Sequence, residues 1–451
     1  MTTASLSPQA IANLRTIIDD ACADENAGLP CANVIVVGKG DGSQCELFSH
    51  STRRKGGGHK NGTEDRQLRD GEDDIYWLAS CTKLVTGIAC MQLVERGVLG
   101  LDDADQVESL CPELKEVCVL QEDGSKVEKN RGITLRMLLT HTAGFGYSFL
   151  NEKLQSYFLE HCSYIPEYNE FSGYVQDFYQ PLVNQPGERF EYGISIDWAG
   201  ILVERATGMR LNDYMQQSIF APLGVHDVSM IPSAHMKERL VGLWQRSAGG
   251  RLVPRDYPLN KPLNVKEAAE VFHSGGAGLF GSIREFSSRF SFLLRSLRNF
   301  PKDISITLIL AEILVALLND GRSPQTGQQI LSPETVKEMF TNQIHQHPDF
   351  ARRPLPAIKP DLVSPCEELY PLCPSPTPQG WGLTFMISPG VTGRSDTTAH
   401  WSGLSNIFWW CDRERGVAGI VASQILPFVD PETGVLWASV EAAVYEGLQG
   451  E

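Results

Sequence analysis

The chain has 451 residues, enough for a large core and for two lobes, since single cores stop growing at roughly 250 to 300 residues. Its 42% apolar and 21% charged residues are ordinary globular values and exclude a disordered or fibrous chain. Asp and Glu number 55 against 39 Lys and Arg, and the resulting net charge of -16 repels nucleic acid and anionic membrane, so neither is an expected partner.

In the opening stretch, MTTASLSPQAIANLRTIIDDAC, apolar residues fall at helical spacing with Asp19 and Asp20 between them, which reads as a helix and not as a leader peptide. ANVIVVGKGDGSQCELFSHS then has two apolar runs about a Gly-Asp-Gly turn, the pattern of a β-hairpin. The Gly-rich, charged stretch TRRKGGGHKNGTEDRQLRDGEDD is a loop leading into the strand-like IYWLAS. From Ser80 the pattern turns helical, with Leu84, Ile88, Met91 and Val98 in one stripe flanked by Val85 and Leu93.

Helical segments such as TLRMLLTH and DWAGILVERATG follow, broken by aromatic loops. FHSGGAGLFGSIREFSSRFSFLLRSL is a Gly-rich turn leading into another helix, and the apolar run from Ile304 to Leu318, interrupted by Glu312, is too short for a bilayer and reads as a buried helix. A Pro-rich excursion from Ile344 to Gln379 carries little regular structure. GWGLTFMI, NIFWWCD and GVAGIVASQ are strand-like, and GVLWASVEAAVYEGL is a last helix.

Strands at both ends with helices between them predict an α+β fold. One antiparallel sheet is built from N- and C-terminal segments and flanked by helices, and a mainly helical lobe is inserted into it. The expected division is a discontinuous sheet domain of residues 1-110 and 265-451, with residues 111-264 as the lobe. Eleven cysteines without C-x-x-C pairs fit reduced thiols in a cytoplasmic protein.

Three segments hold residues suited to chemistry. Ser80 and Lys83 share a helix face, so the lysine can take the proton of a serine hydroxyl, and the Ser80 N–H at the first turn is placed to hold an oxyanion. A capping serine beside a solvated lysine has the same spacing. Tyr192, after the Pro-Gly turn of QPGERFEYG, can share the base's role if its phenol lies near an ammonium group, or be a core aromatic. In HWSGLSNIFWW, Gly403 admits close backbone approach and the Leu404 N–H can serve as a second oxyanion donor, while a tight bend before a strand explains the same residues.

Taken together, SCTK, ITLRMLLTHTAGFGY, QPGERFEYGISIDWAGILVERATG, IFAPLGVHDVSM, GGAGLFGS and HWSGLSNIFWWCD occur in the order and spacing of the serine beta-lactamase and penicillin-binding-protein-like superfamily. From about Asp74 to Pro427 the sequence is most similar to the class C-related esterases and fungal transesterases. The resemblance implies a beta-lactamase or transpeptidase-like fold, Ser80 as the acylated nucleophile, and Lys83 with Tyr192 as general base and acid. It also implies an oxyanion hole from the N–H groups of Ser80 and Leu404. Tyr147, Asp197 and the His400, Trp401, Ser402, Gly403 segment are placed at the substrate by the same resemblance.

Trp401 stands where beta-lactamases carry the lysine of K-T-G, and Ile194 where Y-x-N carries its amide. No S-D-N or E-x-x-L-N motif occurs. These departures point from lactams towards an ester or thioester with a bulky apolar partner.

The expected reaction is therefore acyl transfer from a small-molecule ester or thioester to an alcohol of a secondary metabolite, without cofactor or metal. The donor is free, or carried by coenzyme A or an acyl carrier protein that meets the basic run Arg53, Arg54, Lys55 and Lys60, a run whose plainer reading is a solvated flexible loop. Hydrolysis of small esters or lactones at the same site is the first alternative, and a non-catalytic binding protein the second. HQHPD lacks the last histidine of a zinc motif, and the absence of G-x-S-x-G argues against an α/β-hydrolase.

Overall fold

The computed structural model describes residues 4–24, 27–40, 45–54, 74–161, 170–264, 268–283, 309–367, 373 and 376–449. Lys55, Lys60, most of the Gly-rich loop and the helix expected after Ile283 lie outside the described residues.

Helix α1 (Pro8–Ala23) starts where Ser7 accepts a hydrogen bond from the Ala10 N–H and Pro8 takes the first helical position. Strands β1 (Cys31–Gly38) and β2 (Glu46–Arg53) form the expected hairpin, in register from Cys31 opposite Arg53 to Val36 opposite Phe48, with a bulge before Val37 meets Glu46. A single 3-10 turn, Ala79–Cys81, leads into α2 (Thr82–Glu95). The stripe read from the sequence understates this helix, because Thr82 to Leu93 are all buried. A helix covered all round sits inside a large core. Val98 lies beyond its end and is exposed, which corrects its place in the stripe.

Helix α3 (Ser195–Thr207) packs across α2 and is closed by Gly208 at φ +70°. Helix α4 (Ile309–Leu318) is the buried part of the long apolar run. Short strands β3 (Gly380–Trp381) and β4 (Met386–Ile387) precede β5 (Ala399–Gly403), β6 (Ile407–Asp412) and β7 (Val417–Ala422), and α5 (Pro431–Gly447) ends the fold.

The central sheet runs β3-β4-β5-β6-β7-β1-β2 with every neighbouring pair antiparallel. Its keystone is the pairing of β7 with β1, Val417 opposite Gly38 and Ala422 opposite Asn33, which joins the two ends of the chain in one α+β fold. Outside the sheet, Ser5 and Leu6 also pair with Gln449 and Leu448. Every residue of β1, β6 and β7 is buried, so both faces are covered and the strands read as continuous apolar runs without alternation. On one face α5 lays Trp437 flat on Phe408, ring centroids 4.8 Å apart, a stack worth roughly 0.5–1.5 kcal/mol beyond its burial.

The 111–264 segment carries α3 and several shorter helices, and also two hairpins, Cys118–Leu120 with Lys126–Glu128 and Leu243–Arg246 with Leu252–Arg255. The strand before Ser80, Ile75–Trp77, pairs with Phe280–Ser282, bringing the GGAGLFGS segment alongside α2.

Candidate active site

Two backbone devices present Ser80. Ala79 is held at φ +46°, a conformation that costs a non-glycine residue about 1–3 kcal/mol and that the surroundings must impose. The end of β5 packs against this turn, where a Cβ on Gly403 would lie 2.6 Å from the Leu78 carbonyl oxygen. Only glycine lets the strand press so closely. Just beyond, the Ser405 hydroxyl and the Gln424 amide donate to the Trp77 carbonyl at 3.1 and 3.2 Å, fastening the turn after β5 to the strand before Ser80. Ser80, Ser402 and Leu404 thereby border one cavity.

Lys83 is fully buried one helical turn after Ser80. Its Nζ lies 3.0 Å from Ser80 Oγ, 3.1 Å from Tyr147 Oη and 2.9 Å from the Gly276 carbonyl oxygen. Two aromatic faces flank it, with Nζ 4.8 Å from the Tyr192 ring centroid and 5.5 Å from that of Tyr147. Tyr192 meets Lys83 through its ring. Its hydroxyl accepts from Trp401 Nε1 at 3.1 Å. A Cβ on Gly193 would lie 2.3 Å from the Phe145 carbonyl oxygen, so glycine after Tyr192 is what lets the two tyrosine segments meet.

Behind the tyrosines stands His141, buried against the rings of Tyr192, Phe190 and Trp381, with the Gly193 N–H donating to its Nδ1 at 3.4 Å. Burial and the neighbouring Lys83 charge hold its imidazole neutral, well below the usual histidine range. Glu170 accepts from the Ser148 N–H and hydroxyl at 2.5 and 3.1 Å and anchors the loop that carries Tyr147. Burial raises the Glu170 carboxyl above its ordinary range.

The cavity opens to solvent, spans about 530 Å³ with that open space included, and has Ser80 on its wall. Tyr147, Phe149, Leu150 and Phe171 form one side, Tyr192, Trp401 and Leu404 another, and Leu355, Val363 and Phe428 the rest. Leu355 and Val363 belong to the Pro-rich excursion. It is tied down by the Ile358 N–H on the Phe149 carbonyl at 3.2 Å and by a bridge from Val363 to Phe428. Sequence reading missed these walls, along with Phe171 and Phe428, because no local pattern marks a loop residue that becomes a pocket wall.

The structure brings together Ser80, Lys83, Tyr147, Tyr192, Trp401, Ser402 and Leu404. Three residues expected at the substrate are placed elsewhere, and those expectations are corrected. His400 is buried with Nε2 2.8 Å from Ser388 Oγ, on the strand but away from the cavity. Asp197 is buried behind Lys83, where its carboxylate accepts from Ser274 Oγ and the Gly276 N–H. Gly403 is pressed against Leu78 and Ala79 and is not among the residues lining the cavity. In the basic run Arg53 is bound to Asp74 and Arg54 lies over the Trp244 ring at 5.4 Å, so both have partners within the fold. Among the described residues no His, Cys, Asp or Glu cluster could hold a metal, no helix is long and apolar enough to cross a membrane, and no disulfide forms.

A buried lysine one turn from a serine, under a sheet closed by both ends of the chain, is an arrangement suited to acyl-transfer chemistry. The chain belongs to the beta-lactamase family, whose model matches residues 19–338. It is 33% identical over 389 residues to the lovastatin esterase of Penicillium rubens, covering 82% of this chain and 86% of that one. It is 30% identical over 387 residues to the monacolin J acid methylbutanoyltransferase of Aspergillus terreus, covering 82% of each. Among solved structures, the LovD6 mutant of simvastatin synthase from Aspergillus terreus superposes with a TM-score of 0.71 at 27% identity, over 97% of this chain and 96% of that one. EstCE1, a hydrolase with promiscuous acyltransferase activity, shares the fold at 18% identity with a TM-score of 0.65, over 97% of this chain and 99% of that one.

Proposed function

We propose that the protein transfers an acyl group from an ester or thioester donor to an alcohol of a bulky secondary metabolite, through an acyl-Ser80 intermediate. The observation that carries this reading is the 3.0 Å contact of Lys83 Nζ with Ser80 Oγ on the wall of an aromatic cavity. The Oγ–H proton passes to Nζ as Oγ attacks the acyl carbonyl, and the N–H groups of Ser80 and Leu404 hold the oxyanion. The Tyr192 hydroxyl, accepting from Trp401, has its own proton to give to the leaving group. The acceptor alcohol then enters, gives its proton to the Tyr192 oxygen and takes the acyl group from Ser80, whose Oγ recovers its proton from Lys83 Nζ.

The named activities of the relatives support the reading: one moves a methylbutanoyl group to monacolin J acid, and another is an esterase acting on lovastatin. The 33% identity to that esterase favours hydrolysis as the second reading, since water uses the same residues when the acceptor is absent. For the donor we infer a small acyl thioester, free or borne by coenzyme A or a carrier protein.

Incubation with an acyl thioester and with a p-nitrophenyl ester, followed by peptide mass spectrometry, is expected to find the acyl mass on Ser80. Turnover without such an adduct overturns the proposal. Capture of the acyl group by an added monacolin-type alcohol marks a transferase, and release of free acid alone marks an esterase.

A further inference from the structure

Asp197 is too deep to meet substrate, yet it is connected to the base. The Ala277 N–H donates to Ser274 Oγ at 2.9 Å, which obliges that hydroxyl to accept there and to point its own proton at Asp197 Oδ1, 2.5 Å away. The same Asp197 oxygen takes the Gly276 N–H at 3.0 Å. The Ala277 N–H and the Gly276 carbonyl are the two ends of one peptide group, and that carbonyl accepts from Lys83 Nζ at 2.9 Å.

We propose that Asp197 is a positioning residue for the base: through the Ser274 hydroxyl and the Gly276–Ala277 peptide it sets the proton affinity of Lys83. This deepens the acyl-transfer reading and rests on it. A carboxylate at one end of a hydrogen-bonded chain polarises each link, so the Gly276 oxygen carries more negative charge and holds the Lys83 ammonium more strongly. That strengthens the base which receives the Ser80 proton: the Oγ–H bond breaks and an Nζ–H bond forms, while Asp197 keeps its charge throughout.

The groups around Lys83 that titrate are Cys81 beside it on the chain, Tyr147, Tyr192, His141 and Asp197. Of these Asp197 is the carboxylate, while burial raises the Cys81 thiol and keeps His141 neutral. Burial pushes the Asp197 carboxyl up, and the Lys83 charge, the Ser274 hydroxyl and the Gly276 N–H pull it back. Its place in the first turn of α3 adds the positive end of the helix dipole.

The test is the burst rate of Ser80 acylation by a p-nitrophenyl ester from about pH 5 to about pH 10. Asp197→Asn is expected to move the acid limb about one unit to lower pH and to cut the plateau about tenfold. Ser274→Ala, which breaks the chain and keeps the Asp197 bond to Gly276, should move the limb the same way by less, and the double variant no further than Asp197→Asn. Where Asp197→Asn does not give a wild-type circular dichroism spectrum, Ser274→Ala decides. Slower acylation with the limb unmoved, or a limb moved to higher pH, overturns the proposal. A wild-type protein that forms no acyl-Ser80 instead removes the acyl-transfer reading itself.

Discussion

Lys83 meets three oxygens, and that number suits both of its protonation states. An ammonium donates to Ser80 Oγ, Tyr147 Oη and the Gly276 carbonyl; a neutral amine donates to the last two and accepts from the serine. The proton can therefore cross from Oγ to Nζ without movement of a heavy atom. Tyr147→Phe removes one of the three partners, so we expect acylation to slow by about 10²-fold with little change in KM. Acylation at the wild-type rate would exclude the Tyr147 hydroxyl from the proton path. The linear motifs made Ser80, Lys83, Tyr192 and Trp401 legible because each stands at a fixed place in a short pattern. The Gly276 carbonyl and the Tyr147 hydroxyl were not legible as partners of Lys83, since they reach it from 193 and 64 residues away. Side-chain identity says nothing about such a contact, and Asp197 was misplaced for a related reason: the resemblance put it at the substrate, while its burial takes it out of the cavity.

At the scale of elements, the hairpin of β1 and β2, helix α1 and strands β6 and β7 were readable from period and turn residues, which are local properties, whereas GWGLTFMI, read as one run, folds into the two short paired strands β3 and β4. The all-round burial of α2 was not, because its polar-looking face is covered by α3 and other segments distant in sequence. The Pro-rich excursion shows the same limit. Its lack of regular structure could be read, but its role as a wall of the cavity depends on the Val363 bridge to Phe428 and the Ile358 bond to Phe149. Because Val363 and Leu355 border the cavity from this one element, a larger side chain there should shorten the acyl space and leave Ser80 and Lys83 untouched. For Val363→Phe we expect kcat/KM for a p-nitrophenyl hexanoate to drop by about tenfold or more, with the acetate held within about twofold. Equal losses on both esters would show that the excursion does not set chain length.

For the whole molecule the charge states of buried groups tie stability to pH. His141, His273 and His400 are buried and held below the ordinary histidine value of 6.5, His273 down to about 3 by burial and by Arg210. Glu204 lies 3.6 Å from His273 Nδ1, but it already serves Arg210 and the Leu211 N–H, and Nδ1 accepts from the Asn212 N–H at 3.3 Å. A histidine with a lowered folded value binds its proton in the unfolded chain first. Its contribution is therefore whole above 6.5 and is lost as the pH falls towards the folded value. Glu170, Glu441 and Asp197 have raised carboxyls and act in the opposite sense: they favour the fold at low pH, and that contribution is lost as the pH rises through their folded values. The two sets oppose each other in mild acid, so the wild-type slope alone would not separate them. Replacing one histidine that does not line the cavity does separate them. Denaturant unfolding of His273→Gln, compared with wild type at intervals from about pH 7 to about pH 4, should show a stability difference that shifts in favour of the variant by about 1.4 kcal/mol per pH unit below 6.5, the value for one proton. The offset between the two curves at neutral pH reports lost packing, and the change in that offset reports the proton. Parallel curves across the range would mean that His273 titrates alike in the folded and unfolded chains.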